Sequence, residues 1–136
     1  GEPITELDGR ASNRFPWGTG FPPPPGSGNF ADEHYERVLA RKDGIPGYSD
    51  GFEYSAPVMS FRPNELGIHD LGGNVWEWCA DPWPANERER ILRGGSWDNG
   101  KPDVLNSSKR GHMADRVSNL TIRPFSRGFR LVLELP

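Results

Sequence analysis

The chain has 136 residues, the size of a single domain, and its 16 Lys and Arg against 19 Asp and Glu leave a formal charge of −3. That balance excludes a general nucleic-acid binder, which needs a dense basic face to displace counterions from phosphates. The 17 glycines and 14 prolines are close to twice their usual combined share of about 12%, which argues against a helical bundle and for a loop-rich fold.

Residues 1–14 are polar and show no period, and are read as an N-terminal segment ahead of a domain spanning 15–136. Phe15, Pro16, Trp17 and Gly18 form an aromatic knot ending in a turn, and Pro22–Pro25 continue as an extended surface segment, since four prolines enter neither a helix nor a central strand. Residues 30–42 are the best helix candidate, with Phe30, Tyr35, Val38 and Leu39 near one face and Gly44 as the stop. Ser55–Phe61 reads as a short strand, placed at an edge by Pro57. Residues 64–81, NELGIHDLGGNVWEWCAD, are the densest stretch, and Trp76 and Trp78 alternate as on one face of a strand. Residues 91–100, ILRGGSWDNG, read as an apolar strand running into a glycine-rich turn. The interval from Lys101 to Arg127 reads as an irregular polar surface, and the tail from Gly128, GFRLVLELP, as a buried strand. No apolar run approaches the roughly 20 residues of a membrane helix, and no signal-peptide pattern opens the sequence. The expectation is therefore neither a nucleic-acid nor a membrane partner, with the compartment left open.

Apolar residues make up only 34% of the chain, yet five Trp, seven Phe and three Tyr supply enough large buried surface to argue against disorder. A small core of this kind usually needs a staple. Cys79 is the sole cysteine, so an internal disulfide is excluded, and a metal or a partner remains. Cys79 sits in an apolar and acidic neighbourhood and reads as a buried structural thiol. His34, His69 and His112 are widely spaced and lack a zinc-site or nucleophile-elbow pattern.

Two carboxylate groupings stand out. Asp70 and Glu77 flank the GGNVWE turn, where glycines free carbonyl groups to point inward, and hard cations such as calcium take six to eight oxygens from carboxylates and carbonyls together. Asp50, with Asn29 upstream, is the second grouping. Spacing alone favours solvated acids beside turns at both places, with calcium as the alternative.

The blocks GIHDLGGNVWEWCADPW, ILRGGSWDNG and SRGFRLVL, in that order, resemble the formylglycine-generating enzyme family, also called sulfatase-modifying factor domains. FPWG at 15–18 and APVMSF at 56–61 resemble it too, so the similarity runs from about Phe15 to Leu133. The resemblance implies an α+β, irregular, loop-rich C-type-lectin-like domain with little regular secondary structure. It also implies two structural calcium sites. One would use the side chains of Asp70 and Glu77 with the carbonyls of Gly73 and Val75. The other would use the side chains of Asn29 and Asp50 with the carbonyls of Phe30 and Phe52.

Two departures from the family pattern bear on function. Catalytic members carry a cysteine pair after the Gly-Gly-Ser-Trp block, and the corresponding window, Asp98 to Lys109, holds none. No copper is therefore expected, and catalysis by this chain is not. The family domain also begins well before Phe-Pro-Trp-Gly, so the expectation is that 15–136 forms its C-terminal part, with the N-terminal half supplied by another segment or chain. The resulting expectation is a calcium-stabilised, non-catalytic module that binds an unidentified small molecule or protein through Trp97, Asn99, Arg110, His112, Arg116 and Arg123. The alternatives are the substrate-binding half of an oxidoreductase, of formylglycine-generating or non-haem-iron sulfoxide-synthase type, and a structural appendage of a larger protein.

Overall fold

The computed structural model describes residues 13–114 and 124–133. The aromatic knot is a hairpin. Strands β1 (Arg14–Phe15) and β2 (Gly18–Thr19) pair antiparallel, and the rings of Phe15 and Trp17 stack with centroids 4.7 Å apart. Phe15 then joins Phe30, Ile45, Tyr48 and Leu105 in the larger core cluster, with Trp17 and Phe21 packed on its rim.

Helix α1 (Glu33–Leu39) is shorter than the expected 30–42. The reason is local. Asp32 takes an extended conformation and its side chain accepts a 2.7 Å hydrogen bond from the Tyr35 backbone N–H, so it is the N-cap and Phe30 stays outside the helix. At the other end Ala40, the C-cap, adopts φ 51°, and the helix ends at Leu39, well before Gly44. Tyr35 is its buried anchor and packs with Ala31 and Trp97 in a second cluster, while Val38, expected on the same face, is exposed.

Strands β3 (Trp76–Trp83), β4 (Asn86–Arg93), β5 (Gly111–Ala114) and β6 (Arg127–Phe129) form one sheet in the order β5-β4-β3-β6. β3 and β4 are an antiparallel hairpin with Glu77 opposite Arg93, and β6 runs parallel to β3 with Gly128 opposite Glu77. Strand β4 and the Gly94–Gly95 turn meet the expectation for 91–100. Trp76 and Trp78 are half-buried on β3, and the Trp76 ring lies against Gly111 of β5, which supports a packing role for that ring.

Three expectations are corrected. Residues 55–61 form no strand. The Ser60 N–H donates to the Pro57 carbonyl and Met59 takes φ 66°, which makes the segment a turn. The tail is not a buried strand. β6 ends at Phe129, and Leu131, Val132 and Leu133 are 85%, 85% and 83% exposed, because β6 pairs with β3 on one side only. The interval from Lys101 is not wholly irregular surface either. It carries a short helix α2 (Pro102–Leu105) and β5, and Leu105 is in the main core. Among the described residues, two short α-helices, a 3-10 turn at Pro124–Ser126, a hairpin and a four-stranded sheet joined by long turns are the α+β, loop-rich architecture expected. Among the described residues no helix is long and apolar enough to cross a membrane.

Candidate metal centre

The GGN turn before β3 brings the first grouping together. Asp70, Gly73, Val75 and Glu77 line one cavity of about 180 Å³, together with His69, Asn74, Val58, Met59, Phe129 and Arg130. Asp70 Oδ2 accepts from the Met59 N–H at 2.7 Å, whereas Asp70 Oδ1 is buried and has no hydrogen-bond partner among the described residues. Glu77 is held by Arg130, whose Nη2 donates to Oε1 at 2.6 Å and whose Nε donates to Oε2 at 3.0 Å. The hydrogen bond from Glu77 raises Arg130 above its ordinary pKa, against the effect of burial.

The second grouping touches the same turn, since the Asn29 carbonyl accepts from the Asn74 N–H. Asn29 is 1% exposed. Its Nδ2 donates to the Tyr54 carbonyl at 2.7 Å and to Asn74 Oδ1 at 3.4 Å, and its Oδ1 has no partner among the described residues. Asp50 accepts from the Phe30 N–H through Oδ2 at 2.9 Å and from the Phe52 N–H through Oδ1 at 3.0 Å. Its own N–H donates to Asp32 Oδ2 at 3.0 Å, so the helix cap also fixes the loop that carries Asp50.

Asn74 joins the two groupings, and nothing in the sequence pattern singled it out. Its N–H donates to the Asn29 carbonyl at 2.8 Å, its Oδ1 accepts from the Ala56 N–H at 2.8 Å, its Nδ2 donates to the Ala56 carbonyl at 3.2 Å, and its carbonyl accepts from the Trp97 N–H at 3.0 Å. Arg130 was visible as part of the Gly-Phe-Arg block, but its partner was not.

The side chains and carbonyls of both groupings offer oxygen donors, which by their chemistry suit a hard cation better than a soft one. Among the described residues no three His, Cys, Asp or Glu side chains cluster as a metal group. A cation at either place would draw on carbonyl oxygens, which calcium accepts readily. Among the described residues, the buried side-chain oxygens without a partner are Asn29 Oδ1 and Asp70 Oδ1, one in each grouping. A buried polar atom normally finds a partner, and both oxygens are of a kind that a donor or a hard cation would satisfy.

Burial pushes the Asp50 carboxyl up from 3.8 to about 6, the negative charge of Asp32 adds to this, and the Phe30 and Phe52 N–H groups and His34 oppose it. The folded chain therefore holds this proton more tightly than the unfolded chain between those two values. The contribution to stability is present in full below about pH 4 and is lost as pH rises through about 6. In excess chelator, Asp50→Asn is expected to lose less stability than the parent between pH 4.5 and 7, as read by urea denaturation at both values.

Of the residues expected to form a binding surface, Trp97, Asn99, Arg110 and His112 lie among the described residues. Trp97 is 4% exposed, edge-on to Tyr35 and Tyr54, and supports the fold from beneath rather than facing solvent. Asn99 Oδ1 accepts from the Ser96 N–H and Oγ at 3.0 Å each and so braces the Gly-Gly-Ser-Trp turn. Arg110 is half-buried and donates to the Ser108 carbonyl. His112 is exposed, stacked on Trp83 and paired with Glu89. Arg116 and Arg123 lie outside the described residues. The three histidines are apart. His34 meets Glu53 and Arg37, and His69 Nδ1 meets the Phe61 carbonyl. Cys79 is free and half-buried rather than buried, and burial pushes its thiol up, which agrees with an unreactive role.

Residues 6–135 match the family described as the sulfatase-modifying factor enzyme 1-like domain. The chain belongs to this family. The mouse formylglycine-generating enzyme (Mus musculus) is 32% identical over 105 residues, covering 65% of this chain and 26% of that protein. The mouse "Inactive C-alpha-formylglycine-generating enzyme 2" is 39% identical over 85 residues, covering 61% of this chain and 25% of that protein. The chain thus spans about a quarter of the length of these curated relatives. Among solved structures, PvdO from Pseudomonas aeruginosa superposes with TM-score 0.55 at 25% identity, over 93% of this chain and 49% of that one. Treponema denticola variable protein 1 superposes with TM-score 0.53 at 24% identity, over 76% of this chain and 34% of that one, a likeness of fold alone. The sulfatase-modifying factor domain fold is therefore the C-type-lectin-like, formylglycine-generating-enzyme type of α+β architecture that the motifs implied.

Proposed function

We propose that this sulfatase-modifying factor domain is a calcium-stabilised module that binds a small molecule or protein and does not itself catalyse formylglycine formation. The observation that supports calcium most directly is the pair of orphaned buried oxygens. Asn29 Oδ1 and Asp70 Oδ1 belong to the side chains the family resemblance named as ligands, one per site. In this reading Asp70 and Glu77 hold one ion with the carbonyls of Gly73 and Val75, and Asn29 and Asp50 hold the other with the carbonyls of Phe30 and Phe52. The ions supply fixed positive charge that ties loops together, in place of the larger apolar core the chain lacks.

Two points support a binding role over catalysis. The window from Asp98 to Lys109 contains no cysteine, and Cys79, the sole cysteine, lies on β3 outside it in the sequence. A mouse relative named as inactive also matches this chain at 39% identity.

The deciding experiment is elemental analysis of the purified protein for calcium, iron, copper, manganese and zinc. The expected result is about two calcium ions per chain and no redox metal, in line with oxygen-rich sites of this kind. Stoichiometric iron or copper would overturn the reading in favour of the oxidoreductase alternative.

A further inference from the structure

We propose that Arg130 is a positioning residue for the cation site around Asp70 and Glu77. This inference rests on the calcium reading above.

The geometry is that of a clamp between distant parts of the chain. The Arg130 guanidinium meets the Glu77 carboxylate as a fork, through Nη2 to Oε1 at 2.6 Å and Nε to Oε2 at 3.0 Å. The same Nη2 donates to the carbonyls of His69 at 3.0 Å and Asp70 at 3.2 Å. One side chain therefore joins the loop that carries Asp70 to the strand that carries Glu77, and β6, running parallel to β3, delivers it there. A carboxylate offers about four lone-pair positions. The fork uses two, which leaves the remainder of Glu77 for a cation. The planar fork also fixes the plane of the carboxylate, which a single point charge does not. Holding both charged ligands before the ion arrives is the role that outer hydrogen bonds play at metal sites, where their loss typically costs 10–100-fold in affinity.

A second physical effect has the opposite sign. The positive charge of Arg130 repels a dication and lowers the net negative charge of the site, and ligand charge count is a main determinant of calcium affinity. If repulsion dominated, Arg130→Gln would bind calcium more tightly and Arg130→Lys would resemble the parent. If positioning dominates, both variants bind more weakly, because lysine keeps the charge and loses the fork.

The test is calorimetric titration of calcium chloride into chelator-stripped parent, Arg130→Gln and Arg130→Lys protein, with folding checked by circular dichroism. The expected result is a Kd raised about tenfold or more in both variants. Should a variant unfold without calcium, the calcium concentration at half-refolding replaces Kd as the readout. A parent that binds calcium beside variants of equal or higher affinity overturns this proposal alone. A parent that binds no calcium overturns the calcium reading, and this proposal with it.

Discussion

Gly73→Ala is expected to destabilise the protein by about 3 kcal/mol or more, a large part of the 5–15 kcal/mol that holds a typical domain folded. Two effects add. Gly73 sits at φ 77°, in the left-handed region where a side chain costs roughly 1–2 kcal/mol. A Cβ there would also stand 2.3 Å from the Asn29 carbonyl oxygen and 2.6 Å from Phe30 Cε1. Neither neighbour can give way cheaply. The Asn29 carbonyl already accepts from the Asn74 N–H, and Phe30 is the most central ring of the main core. Overpacking of this sort adds about 1–3 kcal/mol. Gly67→Ala is the matched control. Gly67 has φ 75° and nothing within 4 Å of its Cβ position, so it carries the conformational cost without the clash. Urea denaturation of the two variants beside the parent separates the terms. Equal losses at both positions would mean that the close approach between the GGN turn and Asn29–Phe30 is not a constraint on the fold.

That close approach also explains what could and could not be read from the sequence. The three motif blocks carried the family, the fold class and the candidate ligands Asp70, Gly73, Val75 and Glu77, because their glycines, tryptophans and acids have fixed spacing within short segments. The length of α1 was misread for want of one side chain's role. Asp32 looked like part of the helix, while its side chain caps Tyr35 and ties down Asp50. Asn74 was missed for a different reason. Its partners, Asn29, Ala56 and Trp97, lie up to 45 residues away, and no local period encodes such contacts. The tail failed for a third reason. LVL is β-compatible wherever it stands, but a strand needs a neighbour, and beyond Phe129 β3 no longer pairs with it. Trp97 shows the converse. A tryptophan beside a polar loop reads as a contact residue, and only the packing of Tyr35 and Tyr54 against it reveals a core side chain.

Asp70→Ala is expected to abolish most of the calcium-dependent rise in stability while changing the calcium-free protein little. An ion that binds only the folded state stabilises it by RT ln(1 + [L]/Kd), about 2.7 kcal/mol at 100 times Kd. For a domain of this length that corresponds to roughly 10 °C in Tm. Without calcium the substitution has opposing parts. It removes a buried oxygen that has no partner, which is a gain. It also places alanine at φ 52°, where aspartate is better tolerated, and leaves the Met59 N–H to water, which are losses of about 1–2 kcal/mol together. Asp70→Asn keeps an oxygen for the ion, an acceptor for Met59 and a residue suited to that backbone, so it should retain part of the calcium response. The measurement is thermal unfolding of the parent and both variants, in excess chelator and in excess calcium. The informative quantity is the difference between the two conditions rather than either Tm. A parent and Asp70→Ala that melt together under both conditions would remove Asp70 from the site and leave its buried oxygen without an account. A calcium response lost in Asp70→Ala and partly kept in Asp70→Asn would tie that orphaned atom to the ion, because the two variants differ at this position chiefly in whether an oxygen is there to offer.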